Sequence, residues 1–445
     1  MSGLFAIALA VVSFAAVARF FRKGSTKQTF LAVVVGFGFW YWLPALNLLT
    51  LGYIGYDDFV ITSAIDGACW FVLFNQSIVL GILILSRPML AGSVSISNLS
   101  LVPVPKIAAL ALFSSLVFLA VRFGEKGTGV FFELASGLVA AREGVTFYNR
   151  SEGVGQSLVA LWELVNVGSA LFCLAWYVVK HRFMTVGGIA SAAALTLMFL
   201  GSGTRAVLLQ SVFVMAVALV SRPAGKTRVT LKAVFRVLVF AIPLLGVAAL
   251  IVSGFSARFS YIDMGDRDVA LTEALVGTVV LHNDMMRELT VAFESMRPSM
   301  EGAFDFALSP FTYMLPTFLG FEKEIPAHLV QFNFLRAGID LNLGQGNVFP
   351  GLIADFWLVF GTTGPILLAC FVVLSAVGIE RLSRIATDGP TQSAYRIAGF
   401  SYLFFSFRNI PGGFVLILLI GAGLMWLVGR KTKRAELARR LATLE

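Results

Sequence analysis

In a chain whose residues are 58% hydrophobic and only 13% charged, the charged groups set beside apolar stretches are the places to look for chemistry. Two kinds stand out. The first is a scatter of single arginines at helix mouths: Arg205 in GSGTR (201–205), Arg408 in FRNIPGG (407–413), Arg142 and Arg150 in 124–155, and Arg258, Arg267, Arg287, Arg297 and Arg336 in 254–350. A guanidinium stays charged and offers a planar fork of donors that fits the oxygens of a phosphate. Gly201, Ser202, Gly203 and Thr204 precede Arg205, and the free backbone N–H groups that open the next helix add to an anion site there. The same residues also read as a plain tight turn whose arginine snorkels to lipid headgroups. Arg267 and Arg297 read better as solvated loop charges.

The second kind is acidic. Asp66, Glu163 and Asp355 fall inside apolar runs, where an ionised group is costly and faces the interior of a helix bundle or a water-filled cavity. A carboxylate so placed serves as a general base, or pairs with an interior arginine. His282, in LHNDMMREL, is a further candidate base, although a lone loop histidine is more often structural. The three histidines (His181, His282 and His328) and three cysteines (Cys69, Cys173 and Cys370) show no metal-ligand spacing and no disulfide framework, so neither a metal nor another cofactor is expected. No phosphate-binding loop, dinucleotide fingerprint or nucleophile elbow occurs, so nucleotide use and serine-hydrolase chemistry have no support.

The elements that position these groups follow from hydropathy. Soluble domains carry about 25% charged residues, and a chain with a mean hydropathy of +0.85 cannot cover a globular surface with polar groups. A bilayer core of about 30 Å asks for runs of about 20 apolar residues, held as helices because lipid satisfies no backbone group. The chain reads as an all-α polytopic membrane protein, a single integral membrane domain over 1–445. About eleven spans fall at 2–20, 28–50, 61–86, 107–123, 156–179, 183–200, 206–221, 235–253, 351–379, 394–408 and 412–429. The first lacks a preceding cation and is expected to remain in the mature protein. Tyr41, Trp42 and Tyr53 read as interfacial anchors.

Basic residues favour cytoplasmic loops, and here they alternate without a break, with Arg22, Lys23 and Lys27 inside after the first span. This register places 22 Lys/Arg and 4 Asp/Glu inside against 12 and 21 outside, so the N-terminus lies outside, the C-terminus inside, and the basic balance is topology. No nucleic-acid partner is implied. Two long segments, 124–155 and 254–350, fall outside. The latter, between spans eight and nine, keeps Phe, Leu, Tyr and Met throughout. Its stretch DVALTEALVGTVVLHNDMMRELTVAFESM (268–296) reads as amphipathic helix. Long loops without function are uncommon, so the reactive face belongs there.

The stretch 300–365 contains MEGAFDFALSPFTYMLPTFLGFEKEIP and GQGNVFPGLIADFWLVFGTTGP. It resembles the O-antigen and oligosaccharide repeat-unit polymerases of bacterial envelopes. There a loop ending in a Pro-containing segment leads through a Gly-rich run into a helix carrying an aromatic followed by Phe-Gly-x-x-Gly, here Phe356, Trp357, Phe360, Gly361 and Gly364. The GSGTR and FRNIPGG turns are similar to two arginine turns of that family. The resemblance implies a glycosyltransferase of the inner membrane acting at its periplasmic face on undecaprenyl-pyrophosphate-linked oligosaccharides. It also implies membrane lipids as surroundings and a chain-length regulator protein as a partner. Arg205 and Arg408 would then hold pyrophosphate, Arg142, Arg258 and Arg336 phosphate or glycan, and His282, Glu163 or Asp355 would act as base. An O-antigen ligase transferring glycan to lipid A-core shares this architecture, and a lipid-linked sugar flippase is the alternative from another class.

Overall fold

A computed structural model describes residues 2–21, 26–50, 62–91, 103–126, 154–202, 205–220, 285–304, 306–307, 327–337, 350–384 and 389–408. The segments 235–253, 412–429 and most of 124–155 lie outside the described residues, as does Tyr53.

Every regular element among the described residues is helical. In chain order these are α1 (Ser2–Ala18, prolonged by a 3-10 turn to Phe21), α2 (Thr26–Phe37), a π-helical turn (Gly38–Trp42), α3 (Leu43–Thr50), α4 (Thr62–Leu85) and α5 (Arg87–Ala91). There follow α6 (Val104–Lys126), α7 (Val154–Val179), α8 (Val186–Ser202), α9 (Arg205–Val220), α10 (Met285–Ser295) and α11 (Ala327–Ala337). The last are α12 (Leu352–Phe360), a 3-10 turn at Gly361–Thr363, α13 (Gly364–Ser383) and α14 (Gly389–Ser406).

Five described segments are long and apolar enough to cross a bilayer: Ser2–Phe21, Gln28–Thr50, Ala64–Leu85, Val104–Val121 and Leu352–Ser383. Their packing is inverted relative to a water-soluble protein. Phe5, Val12, Leu85, Phe113 and Leu374 are exposed, whereas Thr29, Asn75, Gln76, Asn166 and Glu380 are buried. Hydrogen bonds between helices pair several of the buried polar groups, as association within lipid favours. Trp42 donates to Gln76 at 2.6 Å, Gln76 to Ser13 at 2.7 Å, and Asn166 to Ser115 at 2.6 Å. The protein is an all-helical membrane protein.

At the centre lies α14, buried almost throughout from Ala394 to Ser406 and packed against α2, α7, α9 and α13. Two glycines allow this close packing. A Cβ at Gly36 of α2 would run into the Phe407 ring, and one at Gly399 of α14 into the Ile379 side chain. At one end of α14 a buried ion pair ties three helices. Arg396 Nε lies 2.9 Å from Glu380 Oε2, and Thr29 donates to Oε1 at 3.2 Å. Arg384 extends this node by donating to the Leu90 carbonyl.

One expectation is refined and another corrected. The span expected over 351–379 is present as the apolar run Leu352–Ser383, but it consists of two helices, α12 and α13, broken at Gly361, whose φ of +56° is strained for a residue with a Cβ. Gly364 completes the break, since a Cβ there would strike the Phe356 carbonyl. The Phe-Gly-x-x-Gly pattern is thus a helix break. Tyr41 and Trp42 are not interfacial anchors: they are 0% and 6% exposed, and both use their polar atoms inside the bundle.

Candidate functional site

The site is assembled from helix ends. A helix leaves its first N–H groups and last C=O groups without intrahelical partners, and at one end of α14 these vacancies answer one another. Leu352 N–H, at the start of α12, donates to the Phe407 carbonyl at 3.1 Å. Tyr41 joins both helices: its hydroxyl donates to the same carbonyl at 3.0 Å and accepts the Ile353 N–H at 3.0 Å. Trp40 donates to the Phe404 carbonyl at 2.8 Å. The π-helical turn places these adjacent aromatic side chains; such turns are frequent at functional sites. The chain enters α12 at Gly351, with φ +90°, where a Cβ would crowd Met285 and the Tyr41 hydroxyl at 3.0 and 3.1 Å.

This clamp fixes two charged side chains. Asp355, in the first turn of α12, is 4% exposed, and Arg408 emerges directly after Phe407. Asp355 Oδ1 lies 3.3 Å from Nε2 of His328, itself buried, on α11. Phe306 packs edge-on against the imidazole at 5.3 Å between ring centres, and against Phe356 and Phe360 at 5.6 and 5.9 Å. The ring is thereby wedged between an aromatic wall and a carboxylate. Arg408 is half-buried, and its Nε is buried with no hydrogen-bond partner among the described residues. An orphaned guanidinium donor inside a protein calls for a ligand or an ordered water.

Glu163, half-buried in α7, lies within electrostatic reach of Tyr402, whose buried hydroxyl also has no hydrogen-bond partner. Tyr402 lies in α14, six residues before Arg408, which follows the end of that helix. Asp66 accepts the Gly3 N–H at 2.8 Å and so holds the start of α1, a structural role. Arg287 pairs with the adjacent Glu288 at 2.9 Å, and Arg297 is exposed.

Of the residues singled out by sequence, the structure thus places Asp355 and Arg408 on elements bound to each other, with Glu163 along α14. Arg205 is the first residue of α9, three positions after Ser202, where α8 ends. Arg336 lies on α11, eight residues after His328 and about 12 Å along the axis. The side chains of Arg205 and Arg336, and all of His282, Arg142 and Arg258, lie outside the described residues. Comparison of the chain with protein-family models, curated proteins and solved structures finds no match. The site is therefore read from its own chemistry.

Sequence reasoning missed His328 and the clamp. His328 and Asp355 are 27 residues apart, so no spacing rule links them. The available signal was a histidine on the otherwise apolar face of the helical pattern AHLVQFNFLRA. Segment 285–295 forms the expected amphipathic helix, yet it is packed onto the bundle: Phe293 meets Phe71 of α4 at 4.8 Å and Trp357 of α12 at 4.6 Å. Among the described residues, no three His, Cys, Asp or Glu side chains are grouped to hold a metal ion. What the cluster offers is proton transfer at His328 and anion binding at Arg408.

Proposed function

We propose that the chain is a glycosyltransferase that polymerises undecaprenyl-pyrophosphate-linked oligosaccharide repeat units at the periplasmic face of a bacterial inner membrane. The observation that carries this reading is a buried His328–Asp355 pair on a helix start hydrogen-bonded to the helix end that presents Arg408, whose buried Nε has no hydrogen-bond partner among the described residues. The loop-to-membrane sequence likeness to O-antigen polymerases and the inside-positive charge bias support the same reading. In this topology about eleven helices span the membrane, the N-terminus is periplasmic and the C-terminus cytoplasmic. The clamp then lies at the periplasmic ends of α12 and α14.

The chemistry follows from the parts. With Asp355 ionised, His328 Nε2 carries the proton it shares with the carboxylate, and the Nδ1 lone pair is free to accept another. An acceptor sugar hydroxyl loses its proton to Nδ1 as its oxygen attacks the anomeric carbon of the donor. The bond from that carbon to the pyrophosphate oxygen breaks, and the developing charge is met by Arg408, with Arg205 the second cation. Arg142, Arg258 and Arg336 contribute to phosphate or glycan binding. Pyrophosphate is already a good leaving group, so fixed cations supply the stabilisation and no cofactor enters. A lipid-linked donor accounts for a site at the membrane surface in a chain without a sugar-nucleotide motif. Glu163 is the rival base, and direct displacement inverts the anomeric centre.

The test is a gel of surface polysaccharide from a strain lacking the gene, complemented with wild type, His328→Ala or Arg408→Ala. A single-repeat band without the gene, a ladder with it and loss of the ladder in both variants is the expected result. Full-length polymer accumulating on its lipid carrier would make the protein a ligase. Absence of repeat units from the outer face would make it a flippase and overturn the proposal.

A further inference from the structure

A second site lies away from the clamp, on the surface shared by α6, α7 and α8. A groove of about 370 Å³ runs there, lined by Pro105, Ala109, Phe113 and Leu116 of α6 and by Gly187 and Ala190 of α8, with Tyr177 of α7 in contact. Its hollow has a local cause. A Cβ at Gly187 would collide with the Tyr177 hydroxyl, and one at Gly188 with the Phe183 carbonyl, so α8 begins with two residues of bare backbone against its neighbours. The lining of α6 recurs at every fourth residue from Pro105 to Phe113 and reaches Leu116, about 16 Å along the axis. That is close to the half-thickness of a hydrocarbon core, about 15 Å.

The groove is apolar, but one end of it is not. Lys106 follows Pro105 and is exposed. Arg182, also exposed, is anchored at the same end: its N–H donates to the Tyr177 carbonyl at 2.8 Å, and its charge reaches the Tyr177 hydroxyl. Lys180 stacks its ammonium over the Trp176 ring at 4.3 Å. The N-termini of α6 and α8 point their positive dipole ends to this side, against one negative end at the C-terminus of α7. No Asp or Glu occurs between Val104 and Gly124 or between Leu164 and Ser202 to offset these charges. An apolar channel one leaflet long with a cationic mouth is complementary to one class of molecule.

We propose that this groove binds an anionic glycerophospholipid, with one acyl chain laid along α6 and the phosphate held by Lys106 and Arg182. The site is separate from the proposed transferase centre and does not depend on that reading. Its charge complementarity separates it from general lipid contact, because a zwitterionic headgroup carries its own cation into the same mouth.

The experiment is native mass spectrometry of the full-length protein in detergent, titrated with phosphatidylglycerol and with phosphatidylcholine of identical acyl chains. Wild type is expected to bind phosphatidylglycerol roughly tenfold or more tightly, since each basic residue near a lipid surface contributes several-fold. The double variant Lys106→Ala/Arg182→Ala should lose that preference while keeping weak binding of both lipids. Ala109→Trp fills the groove from an exposed position without entering the core, and should weaken both lipids. Size-exclusion profiles identical to wild type establish that both variants are folded. Equal binding of the two lipids by wild type, or an unchanged preference in the double variant, overturns the charged mouth. Undiminished binding in Ala109→Trp overturns the acyl seat.

Discussion

Removing one oxygen atom, by Tyr41→Phe, tests whether the clamp holds the site together. The ring remains, with its contact to Phe37 at 6.3 Å between centres, so packing is kept and only the hydroxyl is lost. Two hydrogen bonds go with it, but they are not equivalent. The Phe407 carbonyl keeps the Leu352 N–H at 3.1 Å, whereas the Ile353 N–H loses the phenol oxygen at 3.0 Å and has no intrahelical acceptor so near the helix start. Leaving one buried donor unsatisfied costs about 1–3 kcal/mol. The loss is local to the start of α12, so hydrogen exchange is the suitable assay. Amide protection over 352–355 should fall roughly 5- to 150-fold, the factor that 1–3 kcal/mol represents. Protection in the middle of α4 should not change. Unchanged exchange at Ile353 would refute the clamp, and an equal loss of protection in α4 would show that Tyr41 supports the whole fold and not this junction.

Other outcomes follow from the same geometry. Asp355→Leu leaves the His328 imidazole without its buried partner and should lower stability by about 1–3 kcal/mol in thermal unfolding of the purified protein. Asp355→Asn retains a hydrogen-bonding group and should fold like wild type while losing polymer on a polysaccharide gel. Arg408→Lys should restore only part of the polymer lost in Arg408→Ala, because an ammonium lacks the planar fork; full recovery on the same gel would reduce its role to charge. Gly361→Ala forces a side chain into φ +56° at the α12–α13 break and should cost about 1–3 kcal/mol by the same thermal measurement. Glu380→Gln or Arg396→Met alone should destabilise strongly, by about 3–5 kcal/mol, and the double variant by less than the sum, because each single change strands a buried charge.

The helices were legible where one physical rule governs them. Runs of apolar residues must be helical in lipid, so the elements Ser2–Ala18, Thr62–Leu85, Val104–Lys126 and Val154–Val179 lie within a few residues of their expected bounds. What hydropathy alone does not carry is direction change within an apolar run. Phe360 and Gly361 sit in a stretch greasy enough for one continuous span, and the backbone conformation of a glycine decides the break. Of the site, Asp355 was legible because a carboxylate among apolar residues demands a reason, and Arg408 because it occupies a short turn. Its partner was not: His328 gains meaning only when α11 is brought to α12. Tyr41 and Trp42 were misread for a related reason. Tyrosine and tryptophan next to a span usually mark the membrane interface, and only tertiary contact reveals the Tyr41 phenol spent on the carbonyl end of another helix and the Trp42 indole spent on the Gln76 side chain.

Helix ends also offset part of the cost of burying the two side chains. Asp355 lies in the first turn of α12, where the positive end of the helix dipole favours a carboxylate. Arg408 follows the last turn of α14, where the negative end favours a cation. Each charge is therefore stabilised by the backbone of the helix that carries it before any ligand arrives. The two helices are hydrogen-bonded to each other through Leu352, Phe407 and Tyr41, so the distance between the charges is set by main-chain geometry and not by side-chain contact between them. Had Asp355 and Arg408 paired directly, the carboxylate would have quenched the cation and left neither for substrate. Instead Asp355 is committed to His328, and the guanidinium Nε stays without a partner. A carboxylate spent on an imidazole beside a helix-end arginine whose Nε has no hydrogen-bond partner among the described residues is the division between proton transfer and anion binding that the proposed displacement of pyrophosphate requires.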